Sequence, residues 1–304
     1  RTYELKGYQN SVQTNKLYLT GRGERNDFDA NAYYFNVQDR DNSEIKERKQ
    51  AGVHPAVDYR YFLPDPVYGG ELSLTTNFTS ISRSTQDSYA MGGYPRFNGL
   101  EGSYTRWTTE AEWKRTITMD SGLQITPIFA ARGDALWTDM TAASFTSGGT
   151  SYAYEGTIHD DAALRGMVTG GLEVRYPWLF TALNSSHVFE PIAQIFVRPN
   201  EQYAGRLPNE DSQAFVFDAT NLFERDKFSG FDRIEGGTRA NLGFRYNGTF
   251  NNGYGVRAIA GQSFHLAGEN SFASYDLLNV GADSGLESDR SDYVAMAAFD
   301  APIG

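Results

Sequence analysis

Residues 103–119 read SYTRWTTEAEWKRTITM. Trp107, Ala111, Trp113, Ile117 and Met119 fall on one parity, and Arg106, Glu110, Glu112 and Lys114 on the other. Side chains point to alternate sides of an extended backbone, so this spacing predicts a strand with one greasy and one wet face. Other stretches repeat it. Leu164, Val168, Leu172, Val174 and Tyr176 alternate with Arg165, Thr169, Glu173 and Arg175. Phe189, Pro191, Ala193, Ile195 and Val197 alternate with Glu190, Gln194 and Arg198. Ala240, Leu242, Phe244 and Tyr246 alternate with Arg239, Asn241 and Arg245, and Leu72, Leu74 and Phe78 share a face within 71–81.

Weaker strand patterns lie at 1–9, 14–23, 28–38, 51–63, 122–134, 253–266 and 291–300. With the five above, about twelve strands are expected. Many exceed the length of an ordinary globular strand and reach the nine to eleven residues, roughly, that a tilted strand needs to cross a bilayer. The connections alternate as well. Short links fall at Glu24–Asp27, Pro64–Gly70, Asp120–Gly122 and Asn251–Gly253, and long polar ones at 39–50, 83–98, 135–160, 199–233 and 267–290. Short turns at one end and long loops at the other are the order of an outer-membrane barrel. Two links depart from it: Asn10–Gln13 is short where a long loop is due, and Pro177–His187 is long where a turn is due. Aromatics sit at several strand ends (Tyr61, Phe62, Trp137, Tyr176, Trp178, Phe180, Phe250, Tyr254), as interfacial girdles require. The fold class predicted is therefore all-β: an antiparallel transmembrane β-barrel of the outer-membrane type.

Composition agrees. Of 304 residues, 14% are aromatic, 31 are Gly and only 10 are Pro, which excludes a disordered chain and points to strands and turns. Mean hydropathy is −0.51 and no apolar run is long enough for a membrane helix, but barrel strands read as hydrophilic because half their side chains face a polar lumen. The net charge of −11 excludes nucleic acid as a partner. Cysteine is absent, and with it any disulfide, thiol nucleophile or thiolate metal site in this chain. No composition shift or fixed-period repeat divides the sequence. It opens at Arg1 as though inside a strand and stops at Gly304 soon after one, so residues 1–304 are expected to be part of a larger barrel.

Little chemistry is visible. His54, His159, His187 and His265 have no partner at metal-ligand spacing, and no nucleophile elbow is present. Asp39, Asp41, Ser43 and Glu44 begin like a calcium loop but lack its sixth-position Gly. Asp283, Glu287, Asp289 and Asp292 form an acidic loop, read as solvated charge or as loose divalent-cation bridging to phosphorylated lipids. No catalysis, cofactor or metal is expected. The charges on the wet strand faces are the candidates for a lumen lining: Arg106, Glu110, Glu112, Lys114, Arg165, Glu173, Arg175, Glu190, Arg198, Arg239 and Arg245. They suit either a structural ion-pair ladder or a hydrated path for a polar solute.

The stretch from Pro199 to Arg239 is the most distinctive. Within it, Asn221-Leu222-Phe223 is followed by Ser229-Gly230-Phe231-Asp232-Arg233-Ile234-Glu235-Gly236-Gly237. With Leu19-Thr20-Gly21, Glu24-Arg25-Asn26-Asp27-Phe28, Val57-Asp58-Tyr59 and Gly69-Gly70-Glu71-Leu72, it resembles the C-terminal barrel region of the LptD family of lipopolysaccharide-assembly proteins, in its alphaproteobacterial form. The resemblance implies an outer-membrane translocon, in a Gram-negative cell, that inserts lipopolysaccharide into the outer leaflet at the end of its transport pathway. It implies as partners lipopolysaccharide, an LptE-type plug lipoprotein, a periplasmic bridge protein and the outer-membrane lipids. It further implies a periplasmic jelly-roll domain before Arg1, and last barrel strands and a lateral gate beyond this segment. Loop 199–233 is too long for a mere connector and is expected to fold into or over the lumen. A porin or nutrient receptor, an outer-membrane hydrolase and a soluble sugar-binding sandwich remain as rivals.

Overall fold

The computed structural model describes residues 12–37, 43–91, 94–147, 150–153, 157–278 and 280–302; the strand expected at 1–9 lies outside them. Eleven long strands follow one another: β1 (Val12–Arg22), β2 (Asn26–Val37), β3 (Gly52–Phe62), β4 (Glu71–Arg83), β5 (Gly102–Lys114), β6 (Gln124–Met140), β7 (Asp160–Arg175), β8 (Ser185–Val197), β9 (Thr238–Phe250), β10 (Gly255–Ala267) and β11 (Val294–Asp300). Each pairs antiparallel with its neighbours in the chain, giving one continuous meander from β1 to β11. Among the described residues no pairing joins β1 to β11.

The strands expected within the described residues are present, with two instructive differences. β6 runs 17 residues to Met140, well beyond the expected end at 134. The strand continues past 134 because Asp134 is an inner-face residue paired with Arg165 on the neighbouring strand. The misfit at Pro177–His187 also dissolves. Trp178–Ala182 pairs with Ser185–Phe189, so β7 resumes after Pro177 and the true turn is Leu183-Asn184. The long links carry modest structure of their own: a short helix Ser43–Arg48, and hairpins Asp87–Met91 with Tyr94–Gly99 and Ser144–Ser147 with Thr150–Ala153.

The faces are inverted relative to a soluble protein. Leu164 is 75% exposed and Phe129 58%, alongside Trp107, Trp137, Val168 and Val197, while Arg106, Asp134, Arg165, Arg239 and Asn241 are buried on the opposite side. Scattered exposed apolar residues mean nothing, but a whole strand face of them is the lipid-facing band of a barrel, and a water-soluble sandwich has no such face. At the short-turn end the outward rings form a belt. Tyr176 meets Trp178 with centroids 5.3 Å apart, Phe189 meets Phe244 at 5.1 Å, and Tyr254 stacks on Phe299 at 5.5 Å. Amphipathic rings at the headgroup level give this pattern. Among the described residues no helix is long and apolar enough to cross a membrane. The molecule is an antiparallel barrel wall of the outer-membrane type.

Candidate functional site: the loop across the inner face

The segment 199–237 between β8 and β9 does not extend into solvent. It lies against the inner face and touches side chains of six successive strands, β4 to β9. Laid flat, those strands span about 24 Å, and one loop reaching both limits fits a concave wall. At most joints the wall supplies the cation and the loop the carboxylate. Arg83 of β4 grips Glu210 through two bonds of 2.8 and 2.6 Å, the bidentate geometry that a guanidinium and a carboxylate share. Arg165 of β7 holds Asp134 at 2.6 Å, Glu201 at 2.7 Å and the Asp232 carbonyl at 2.8 Å. Arg233 reaches in the other direction, to Asp276 at 2.8 Å in the loop between β10 and β11.

The tightest knot is around Asp232. Its carboxylate receives Arg106 and the Tyr104 hydroxyl from β5, and the backbone amides of Glu210 and Asp211 at 2.6 and 3.0 Å. Asp211 answers in kind: its carboxylate accepts the amides of Phe231 and Asp232 at 3.0 and 2.9 Å and the second Arg106 nitrogen at 2.8 Å. Each acid thus ties down the other's backbone. Asp232 and Arg106 are both 0% exposed. Burial opposes the Asp232 charge, yet Arg106, Tyr104 and the Glu210 amide hold the carboxyl far below its usual range. Gly230 makes the approach feasible: its φ is +65°, and a β-carbon there would stand 2.4 Å from the Asp211 carbonyl oxygen.

The other residues of the distinctive stretch have parts in the same loop. Asn221 closes a turn, accepting from the Asp218 amide at 3.0 Å and donating to the Val216 carbonyl at 3.1 Å. Leu222 is buried with Phe217, Phe228, Phe272 and Leu286. Phe223 lies under the Arg245 guanidinium, 5.5 Å from ring centroid to cation. Ser229 exchanges bonds with Gln213. Glu235 pairs with Arg239 and faces Arg198 at 3.6 Å. The Gly236 amide donates to Ser271 at 2.9 Å, and that of Gly237 to the Pro199 carbonyl at 3.2 Å.

The predicted inner-face charges divide into two sets. Arg106, Arg165, Arg198 and Arg239 contact the loop and are buried; Glu110 and Glu112 pair with loop residue Arg225, and Arg245 touches Phe223. Glu173, Arg175, Glu190 and Lys114 stand below it, where Arg175 bridges Glu173 and Glu190 and Lys114 pairs with Glu71. A polar cavity of about 520 Å³ lies there, bounded by Glu112, Lys114, Glu173 and Arg175 on the wall and by Phe223–Asp226 on the loop. Sequence reading missed Tyr104, Asp134, Asn77 and the loop acids Glu201, Glu210 and Asp211. Tyr104 and Asp134 carried one signal, since both sit on the wet parity of a strand. It also missed Gly243 and Gly261, paired across β9 and β10, whose absent side chains leave the hollow that seats Leu222 and Phe223.

The fold and site define an outer-membrane barrel wall whose lumen side is lined with charge and covered by the chain's own loop. The sequence model of the family LptD, LPS transport system D, matches residues 1–304, and the chain belongs to that family. The family transports lipopolysaccharide to the outer membrane of Gram-negative bacteria, together with the other components of the Lpt machinery. No curated protein matches the chain.

Proposed function

We propose that this barrel region belongs to the translocon that inserts lipopolysaccharide into the outer leaflet, with an LptE-type lipoprotein in the lumen and a periplasmic bridge protein delivering the cargo. The observation that carries the reading is the charged inner wall with a polar cavity, closed on the long-loop side by the 199–237 segment. A polysaccharide needs a wet route and its acyl chains a lipid one, and a hydrated barrel in a bilayer offers both without chemistry. Arg106, Arg165, Arg198 and Arg239 serve in this reading as fastenings of the 199–237 loop, and Glu173, Arg175, Glu190 and Lys114 as the lining that the sugar meets. A standing pore for small solutes fits poorly with a loop fastened across the lumen.

The test is depletion of the full-length protein with measurement of newly made lipopolysaccharide at the cell surface. A fall there, with accumulation at the inner membrane, is expected. Undiminished surface delivery overturns the reading.

A further inference from the structure

The 199–237 loop has two parts with different attachments. Residues 207–212 and 230–233 form the knot around Asp232, whose pair with Arg106 is fully enclosed. Between them the lobe 214–228 is closed on itself at the neck: the Ser229 amide donates to the Gln213 carbonyl at 2.9 Å, the Gln213 amide donates to the Ser229 hydroxyl at 2.9 Å, and Ala214 bridges Phe228. A lobe with a closed neck can swing as one piece while the knot stays tied.

Its attachments to the wall fall on two sides of the lumen. On one side it hangs from β8 to β10. Gln194 donates to the Phe223 carbonyl at 3.1 Å, Arg198 donates to the Arg225 carbonyl, Arg245 covers the Phe223 ring, and Leu222 fills the Gly261 hollow. On the other side Arg225 alone, among the described residues of the lobe, reaches β5, three strands away. There it pairs with Glu110, and with Glu112 at 2.9 Å. The polar cavity lies between the two sides. Unlike the 0% exposed Arg106–Asp232 pair, these three side chains keep 20–24% exposure and so remain in contact with water. A wetted ion pair breaks at far lower cost than a dry one, because water recovers both charges.

We infer that the lobe 214–228 is a door hung on β8–β10 and bolted to β5 by Arg225 through Glu110 and Glu112. Releasing the bolt opens the cavity towards the long-loop side along β5–β7, with the Asp232 knot unmoved. The apolar cluster that Phe217, Leu222 and Phe228 share with Phe272 and Leu286 lies on the hung side, where the facing loop between β10 and β11 stays with the knot, held to Arg233 through Asp276. The inference rests on the lumen being the transport route, not on which cargo uses it.

The test uses the full-length protein in cells. Arg225→Ala is expected to assemble at the normal outer-membrane level yet admit a large hydrophilic antibiotic, lowering its inhibitory concentration several-fold. Arg225→Glu should leak more, and Arg225→Glu with Glu110→Arg should restore the barrier. Where Arg225→Ala does not assemble, Glu110→Gln with Glu112→Gln removes the bolt from the wall side and should leak in the same way. Unchanged antibiotic sensitivity at matched protein level, a reversal that fails to restore the barrier, or failure of both bolt-removing variants to assemble overturns the inference. The readout is leakage, so it stands or falls apart from surface lipopolysaccharide delivery.

Discussion

The centre of the wall and its flanks carry the same chemistry on the same face, but only the centre is covered. The register links Glu110 on β5 through Thr75 and Arg60 to Asp27 and Arg22 on β2 and β1, one inner-face row. Beneath the loop, three guanidinium groups of this face are dry: Arg106 and Arg165 each meet two carboxylates and Arg239 one, all with almost no exposure. At the flanks the pairs Arg22–Asp27 and Arg257–Asp300 stand in the open, the second 61% and 54% exposed. The loop therefore decides what an inner-face charge is worth. Covered, it is a fastening whose loss strands a buried partner; uncovered, it is a hydrophilic surface and little more.

The largest consequence concerns Asp232. Asp232→Ala leaves the Tyr104 hydroxyl and the Glu210 amide without their acceptor, and Arg106 with one carboxylate fewer in a fully enclosed site. Breaking a buried pair from one side costs roughly 3–5 kcal/mol. The variant should lose most of its outer-membrane level, and its urea unfolding midpoint in detergent should fall. Asp232→Asn, which keeps acceptor and shape but not charge, should fall between. A normal level and midpoint for the alanine variant would break the comparison at its strongest point.

This contrast explains what could be read from the sequence. Period-two alternation exposed the strands and sorted the wall charges onto one face, because lipid and lumen impose opposite demands on adjacent residues, as at Arg106 and Trp107. The Pro199–Arg239 stretch stood out by resemblance, and Asp232, Arg233 and Glu235 are joints of the loop across the inner face. The pairing itself was illegible. Nothing along the chain says that Arg83 meets Glu210, 127 positions away, or that Arg225 reaches back to β5. Those contacts depend on wall curvature and on a glycine hollow formed by two strands, and neither leaves a local periodicity. β6 ends later than the expected 134, since the Asp134 charge sits on the inner face and is neutralised by Arg132 on the same strand and Arg165 on the next.

A smaller effect is expected at Lys227, where cover is complete but the charge balance is poor. Its ammonium donates to the Glu224 carbonyl at 3.0 Å and faces Glu235 and Asp226 together with Arg198 and Arg239. Burial foremost, with those two arginines, pulls it down to about 8 from 10.5. Between these values the unfolded chain holds a proton that the folded one has released, so on this group's account stability rises with pH across that window. The rise reaches on the order of 3 kcal/mol when complete. Lys227→Met should flatten it, which unfolding midpoints of both proteins at pH 7.5 and 10 would show. Parallel pH dependence in the two would place Lys227 with the flanks, as a charge that water reaches.

The smallest effect tests the other half of the comparison. Arg257 and Asp300 form a geometrically good pair, with bonds of 3.1 and 2.9 Å. Geometry alone would rank it beside Arg83–Glu210. With water on both partners, however, attraction is offset by solvation lost and by the entropy of fixing two long side chains, and such pairs contribute about 0–1 kcal/mol. Arg257→Ala should leave assembly and barrier intact and move the unfolding midpoint barely at all, even at low salt. If it instead approaches the cost of Asp232→Ala, then Arg257 is covered in the assembled translocon, and a second element must close over β10 and β11 as the 199–237 loop closes over the centre.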